Sequence, residues 1–149
     1  MATRLLSLLL AFFFLGMPSV VSRTLVQNSS MLKVQCAVSA SVWEARSLKA
    51  AWMVSLRNAD GKVIEEVLVL AQSNPQQLPL GLRNTGVYIV ATYFDANGNR
   101  GMDRGLFGNP TEPYAFSNNA RNRFSEPSLS DQRFAHPGQL QKLALKAAF

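Results

Sequence analysis

The chain has 149 residues, 48% hydrophobic and 16% charged, with a formal net charge of +6, one cysteine and one histidine. That length suits one domain with a real core and no second one. The lone cysteine excludes an intramolecular disulfide, and a single imidazole beside a single thiol excludes the usual zinc and copper ligand sets. The basic residues are scattered and no aromatic-basic motif appears. The charge therefore reads as a solubilising surface with a long-range pull on anionic envelope polymers or lipid headgroups, and nucleic acid is not an expected partner.

The chain opens with Arg4, an apolar run from Leu5 to Leu15, then Gly16, Pro18 and small residues up to Ser22. This is the pattern of a secretory signal peptide over residues 1–22, cut before Arg23. The run is shorter than the roughly 20 residues a spanning helix needs, so a periplasmic or extracellular protein is expected, not integral to the membrane after cleavage. Cys36 lies too far beyond the run to be a lipoprotein cysteine. Residues 23–149 form the expected domain; cleavage removes one basic residue, Arg4, and so lowers the net charge from +6 to +5.

Leu32, Val34, Cys36, Val38 and Ala40 alternate with polar residues, the period-two signature of a half-buried strand, with Cys36 as a buried, inert thiol. Residues 42–49 are compatible with a short helix. The apolar segment Ala50 to Leu56 runs into a turn at Asn58-Ala59-Asp60-Gly61, and Lys62 to Ala71 is the returning strand. Prolines and Gly81 between Gln72 and Leu82 indicate a loop flanking a short edge strand. Thr85 to Phe94 is the strongest strand and is apolar on both faces, which marks it as central. Early in it, Tyr88 is placed to act as a tyrosine corner, its hydroxyl tying back to the preceding loop.

Residues 95–138 show little periodicity but hold Pro110, Pro113, Pro127 and Pro137 with Phe107, Tyr114, Phe116, Phe124 and Phe134, which reads as an ordered, packed loop. Leu143, Leu145, Ala147 and Phe149 alternate as a final strand. The sum is an all-β fold: a single antiparallel β-sandwich with one long ordered loop. An eight-stranded outer-membrane barrel, with strands of about 9–11 residues, would leave too little chain for that loop.

The long loop begins with oxygen-bearing residues at alternate positions: Asp95, Asn97, Asn99, the carbonyl of Gly101, and Asp103. Those offsets surround a hard cation in helix-flanked calcium loops, and Glu112 is available to complete the shell, so Ca2+ is the candidate ion. The match departs at Arg100, where such loops carry glycine, and at Leu106, where they carry an acidic ligand. The other reading is an Asn-Gly turn whose amides and carboxylates cap local backbone. Further on, Ser117, Asn118, Asn119, Arg121 and Arg123 offer directed donors for a sugar or a carboxylate, or else fix the loop's own backbone.

No catalytic constellation stands out. His136 and Cys36 make no plausible triad, no Gly-x-Ser-x-Gly or phosphate loop exists, and only Glu112 with Glu126 offers a pair of the kind glycosidases use. The expected function is a non-catalytic envelope or secreted protein, calcium-stabilised through Asp95–Asp103. The alternative is a module binding an anionic envelope polysaccharide or peptide through Ser117–Arg123.

The segments Tyr88 to Asp95, Asp95 to Asp103, Gly108-Asn109-Pro110-Thr111-Glu112, Phe116-Ser117-Asn118-Asn119 and Phe124-Ser125-Glu126-Pro127-Ser128 together resemble a family of small secreted bacterial proteins of unknown function. The resemblance covers most of residues 31–149. It implies an immunoglobulin-like or transthyretin-like sandwich outside the cytoplasm and adds no catalytic residue. Members commonly carry glycine where this chain has Arg100, and another near Ala115.

Overall fold

The computed structural model describes residues 28–123 and 125–147. The signal-peptide reading of residues 1–22, and Phe124 and Phe149, lie outside that range. Within it the chain forms β1 (Ser29–Ala37), α1 (Ala40–Ala45), β2 (Ala51–Asn58), β3 (Val63–Leu70), β4 (Gln76–Asn84), β5 (Gly86–Asp95), β6 (Tyr114–Phe116), α2 (Leu129–Gln132), β7 (Phe134–His136) and β8 (Gln141–Ala144).

Two sheets pack face to face. One runs β4-β1-β8, the other β3-β2-β5-β6, with β7 also pairing β5. The core between them comes from alternate positions: Val34, Cys36, Trp52, Val54, Leu56, Leu78, Val90, Phe94 and Leu143 are all buried. Trp52 and Phe94 meet there with ring centroids 4.6 Å apart. Because side chains alternate across a strand, Met53, Ser55 and Arg57 of β2, and Ile89, Ala91 and Tyr93 of β5, fall on the opposite, outer face. β5 is a central strand, as its two apolar faces predicted, flanked by β2 and by β6 and β7. The Tyr88 hydroxyl donates to the carbonyl of Asn84 at 3.0 Å, the tie-back of a tyrosine corner.

The sandwich departs from the expectation in two ways. β8 runs parallel to β1, Val34 opposite Gln141 to Ala37 opposite Ala144, so the sandwich is not wholly antiparallel. The stretch 95–138 holds two three-residue strands, a 3-10 turn at Ser117–Asn119 and a one-turn α-helix, all too short for any periodicity to register. Pro79 sits in β4, an edge strand, where a missing donor does least harm.

Cys36 is fully buried, and desolvation pushes its thiol up to about 12. His136 is also buried; its Nε2 lies 3.0 Å from the Ser30 hydroxyl and 3.1 Å from the Ser30 carbonyl oxygen, so these partners fix it to β1.

Candidate functional site

β5 ends at Asp95 and delivers its carboxylate, 0% exposed, beneath the loop that follows. Asp95 Oδ1 accepts from the backbone N–H of Gly98 at 2.7 Å and of Asn99 at 3.2 Å, and Oδ2 accepts from Arg100 N–H at 2.8 Å. Three successive amides converge on one carboxylate because the backbone turns through left-handed conformations at Gly98 (φ 78°) and Arg100 (φ 66°). For a residue with a side chain that turn costs about 1–2 kcal/mol, which the charge-assisted bond to Asp95 offsets. Asn97 Oδ1 accepts from Asn99 N–H at 2.9 Å and Asn99 Oδ1 from Gly101 N–H at 2.8 Å, two successive Asx turns. Their Nδ2 groups both donate to Asp103, at 2.6 and 2.8 Å.

Glu112, only 6% exposed, closes the corner from the other side. Its two oxygens accept from the N–H groups of Ala96 (2.9 Å) and Asp103 (3.2 Å). Burial, and then the neighbouring Asp95 and Asp103 charges, push its carboxyl above the ordinary value, while those two hydrogen bonds pull the other way. Tyr93 is raised too, by partial burial first and by Asp95 and Glu112 next.

The side chains of the predicted cation ligands are thus brought to one corner, but the oxygens of Asp95, Asn97, Asn99 and Glu112 already serve backbone N–H groups, and those of Asp103 serve side-chain amides. Asn97 and Asn99 turn amide nitrogens, not oxygens, toward Asp103. Among the described residues no group of three His, Cys, Asp or Glu side chains is arranged to hold a metal ion. A calcium ion here needs both amides to rotate and the Asp95 oxygens to share their donors. The placement matches the alternative reading, in which the loop caps itself.

The segment Ser117–Arg121 is spent in the same way. Buried Ser117 accepts from Val90 N–H at 3.1 Å and donates to the carbonyl of Gln132. Asn118, in a left-handed conformation at φ 60°, donates through Nδ2 to the carbonyls of Asp131 (2.9 Å) and Arg133 (2.8 Å). Asn119 bonds the backbone of Lys142 and Ala144, each at 2.8 Å. Arg121 donates to the carbonyls of Tyr114 and Lys146. These side chains staple β6 to β8 and α2. Of the five residues expected to form a contact surface, Arg123 alone lines the neighbouring outer surface of the β3-β2-β5-β6 sheet.

That surface is a groove of about 970 Å³ on the outer face of the β3-β2-β5-β6 sheet. Its floor is Met53, Ser55, Ala91, Tyr93, Tyr114 and Phe116; one wall is the 100–110 segment and the other the 122–126 segment. Tyr93 stands opposite Tyr114 in the β5–β6 pairing, and Tyr114 meets Phe116 edge-on with centroids 5.9 Å apart. Four guanidinium groups, Arg57, Arg100, Arg104 and Arg123, line the groove against two carboxylates, Glu66 and Glu126. Arg57 pairs with Glu126 at 3.0 Å across the sheet-to-wall junction. Arg104 is steadied by the Gly108 carbonyl at 2.8 Å. Neither histidine nor cysteine is among the described lining residues. Glu112 does not line the groove, so the Glu112–Glu126 pair is not assembled in it.

Arg57, Arg100 and Arg104 gave no signal as binding residues, since nothing local connects a β2 position with a loop more than forty residues later. The usable signal was the outer face of β2, where Met53, Ser55 and Arg57 alternate with the core set.

No curated protein and no solved structure matches the chain. A family model described as "Uncharacterized protein conserved in bacteria" matches residues 44–143, which include both the Asp95 corner and most of the groove. The chain belongs to that bacterial family, DUF2141.

Proposed function

We propose that the protein acts outside the cytoplasm as a non-catalytic binding module whose groove holds a stretch of an acidic polysaccharide of the cell envelope. The observation that carries this is the groove's make-up, four arginines around a floor of Tyr93, Tyr114 and Phe116. Flat aromatic rings stack on sugar rings, and guanidinium forks take carboxylates in directed pairs. An acidic peptide would use the arginines and leave the ring floor without a specific role.

The test is calorimetric titration with a polyuronate, a neutral glucan and polyglutamate. Binding of the polyuronate alone, weakened several-fold in Arg57→Ala and in Tyr114→Ala, supports the reading. Equal binding of the neutral glucan, or none of the polyuronate, refutes it.

A calcium ion at the Asp95 corner is the second reading, favoured by the gathering of three carboxylates there: burial first, and then the Asp95 and Asp103 charges, raise the Glu112 carboxyl above its ordinary value. A cation would relieve that repulsion. Calcium heat and a rise in melting temperature, both lost in Glu112→Gln, support it; no response at millimolar calcium removes it.

A further inference from the structure

One end of the sandwich carries three large apolar side chains with almost no cover: Leu48 is 106% exposed, Leu106 101% and Phe107 95%. The register brings the segments that carry them to the same end of the sheet. Ala51 pairs with Asp95, so the turn before β2 and the loop after β5 leave the sheet at the same end. Ser47 then ties that turn to the loop, its N–H donating to Ala96 at 2.8 Å and its hydroxyl to the Asn97 carbonyl at 3.0 Å. Leu106 and Phe107 cap a tight hairpin closed by the Arg104–Pro110 bridge and the Gly108 N–H to Gly105 carbonyl bond, its base fixed by Thr111 N–H to the Asp103 carbonyl.

The charges at this end are sorted by sign. Asp95 and Glu112 are buried, and half-buried Asp103 accepts from the side-chain amides of Asn97 and Asn99. Lys49, Arg100 and Arg104 are exposed among the apolar tips. Among the described residues, exposed Glu44 on α1 and half-buried Asp103 carry opposing charge near these cations.

We infer that this end docks on an anionic phospholipid bilayer. Leu48, Leu106 and Phe107 enter the boundary between headgroups and acyl chains, while Lys49, Arg100 and Arg104 sit at the level of the lipid phosphates. Protruding apolar points interleaved with cations suit a soft, negatively charged surface. A protein partner would call for a contiguous, shape-matched patch instead. The burial of Asp95 and Glu112 keeps two carboxylates away from the approaching surface and leaves the cations in excess at it. Arg100, Arg104 and Phe107 also line the groove, whereas Leu48, Lys49 and Leu106 do not, so the two readings share one edge and are separated by the test.

The test uses an environment-sensitive fluorophore on a cysteine at Leu106→Cys in the full chain; Cys36, fully buried, does not compete for the label. A control carries the label at Asp60→Cys, in the turn at the far end, where Asn58 pairs with Tyr88. Vesicles of phosphatidylglycerol with phosphatidylethanolamine should brighten and blue-shift the label at 106 but not that at 60, and phosphatidylcholine vesicles should do neither. Replacing Leu48 and Phe107 together by Asp in the chain labelled at 106 should weaken the response about tenfold or more. Arg57→Ala, which weakens the groove, should leave it unchanged. A response at 60 equal to that at 106, no response at 106, or a response at 106 to soluble polyuronate but not to vesicles overturns the proposal.

Discussion

Replacing Asp95 by Ala should cost more than any other single change at the corner, because one buried carboxylate answers three backbone donors. The amides of Gly98, Asn99 and Arg100 lie 2.7, 3.2 and 2.8 Å from its oxygens. Hydrogen bonds to a charged group contribute about 1.5–3 kcal/mol each, and the Gly98 and Arg100 donors, left unpaired in part-buried positions, add to the loss, while Asn99 N–H keeps Asn97 Oδ1. Since the three share one acceptor and do not add fully, about 3–5 kcal/mol is expected, a large part of the roughly 5–15 kcal/mol that holds a domain together. Asp95→Asn keeps an oxygen for Gly98 and Asn99 but sets an amide nitrogen against the Arg100 N–H, so it should lose about 2 kcal/mol. Urea unfolding followed through the buried Trp52 gives the global values, and amide exchange at residues 98, 99 and 100 gives the local ones. A loss below about 1 kcal/mol for Asp95→Ala, or unchanged protection of those three amides, would refute the capping argument.

The remaining predictions follow the same geometry. Burial and the nearby acidic charges hold Glu112 above its ordinary 4.5, so the folded state keeps that proton more firmly than the unfolded chain. Its contribution is full at acid pH and is lost as pH rises from the ordinary carboxylate range through the raised folded value; wild-type stability should therefore fall more steeply there than that of Glu112→Gln, and identical slopes in urea midpoints would contradict this. Gly98→Ala should lower stability by about 3 kcal/mol or more, since the new Cβ would lie 2.5 Å from Lys49 Cβ and 2.9 Å from its carbonyl oxygen at a φ of 78°. An unchanged melting temperature would show that the Lys49 turn yields freely. Asn118→Ala should cost about 2–3 kcal/mol through two lost hydrogen bonds and a left-handed φ, and Asn118→Gly less, since it removes only the bonds; equal losses would mean that the φ of 60° carries no cost.

What the sequence made legible was whatever one strand decides alone. Val34, Cys36 and Val38 alternate for long enough to declare a buried face, and Val87 to Phe94 is apolar on both sides, so β1 and the central position of β5 could be read directly. Pairings decided elsewhere in the chain were not legible: β8 finds β1 in parallel only because the core needs Leu143 beside Cys36, and Tyr114–Phe116 is too short to show a period. The Asp95–Asp103 spacing located a loop dense in oxygens, but spacing does not say which hydrogens those oxygens meet. That is decided by φ, and Arg100, which breaks the calcium-loop pattern, is also the residue whose left-handed backbone aims its N–H at Asp95. The amides of Asn118 and Asn119 look alike in sequence whether they serve a ligand or the carbonyls of Asp131, Arg133 and Lys142. Both cases have one consequence for function. With Asp95 and Glu112 buried to brace the backbone, arginines outnumber carboxylates along the groove, four to two, and cations stand beside the exposed tips.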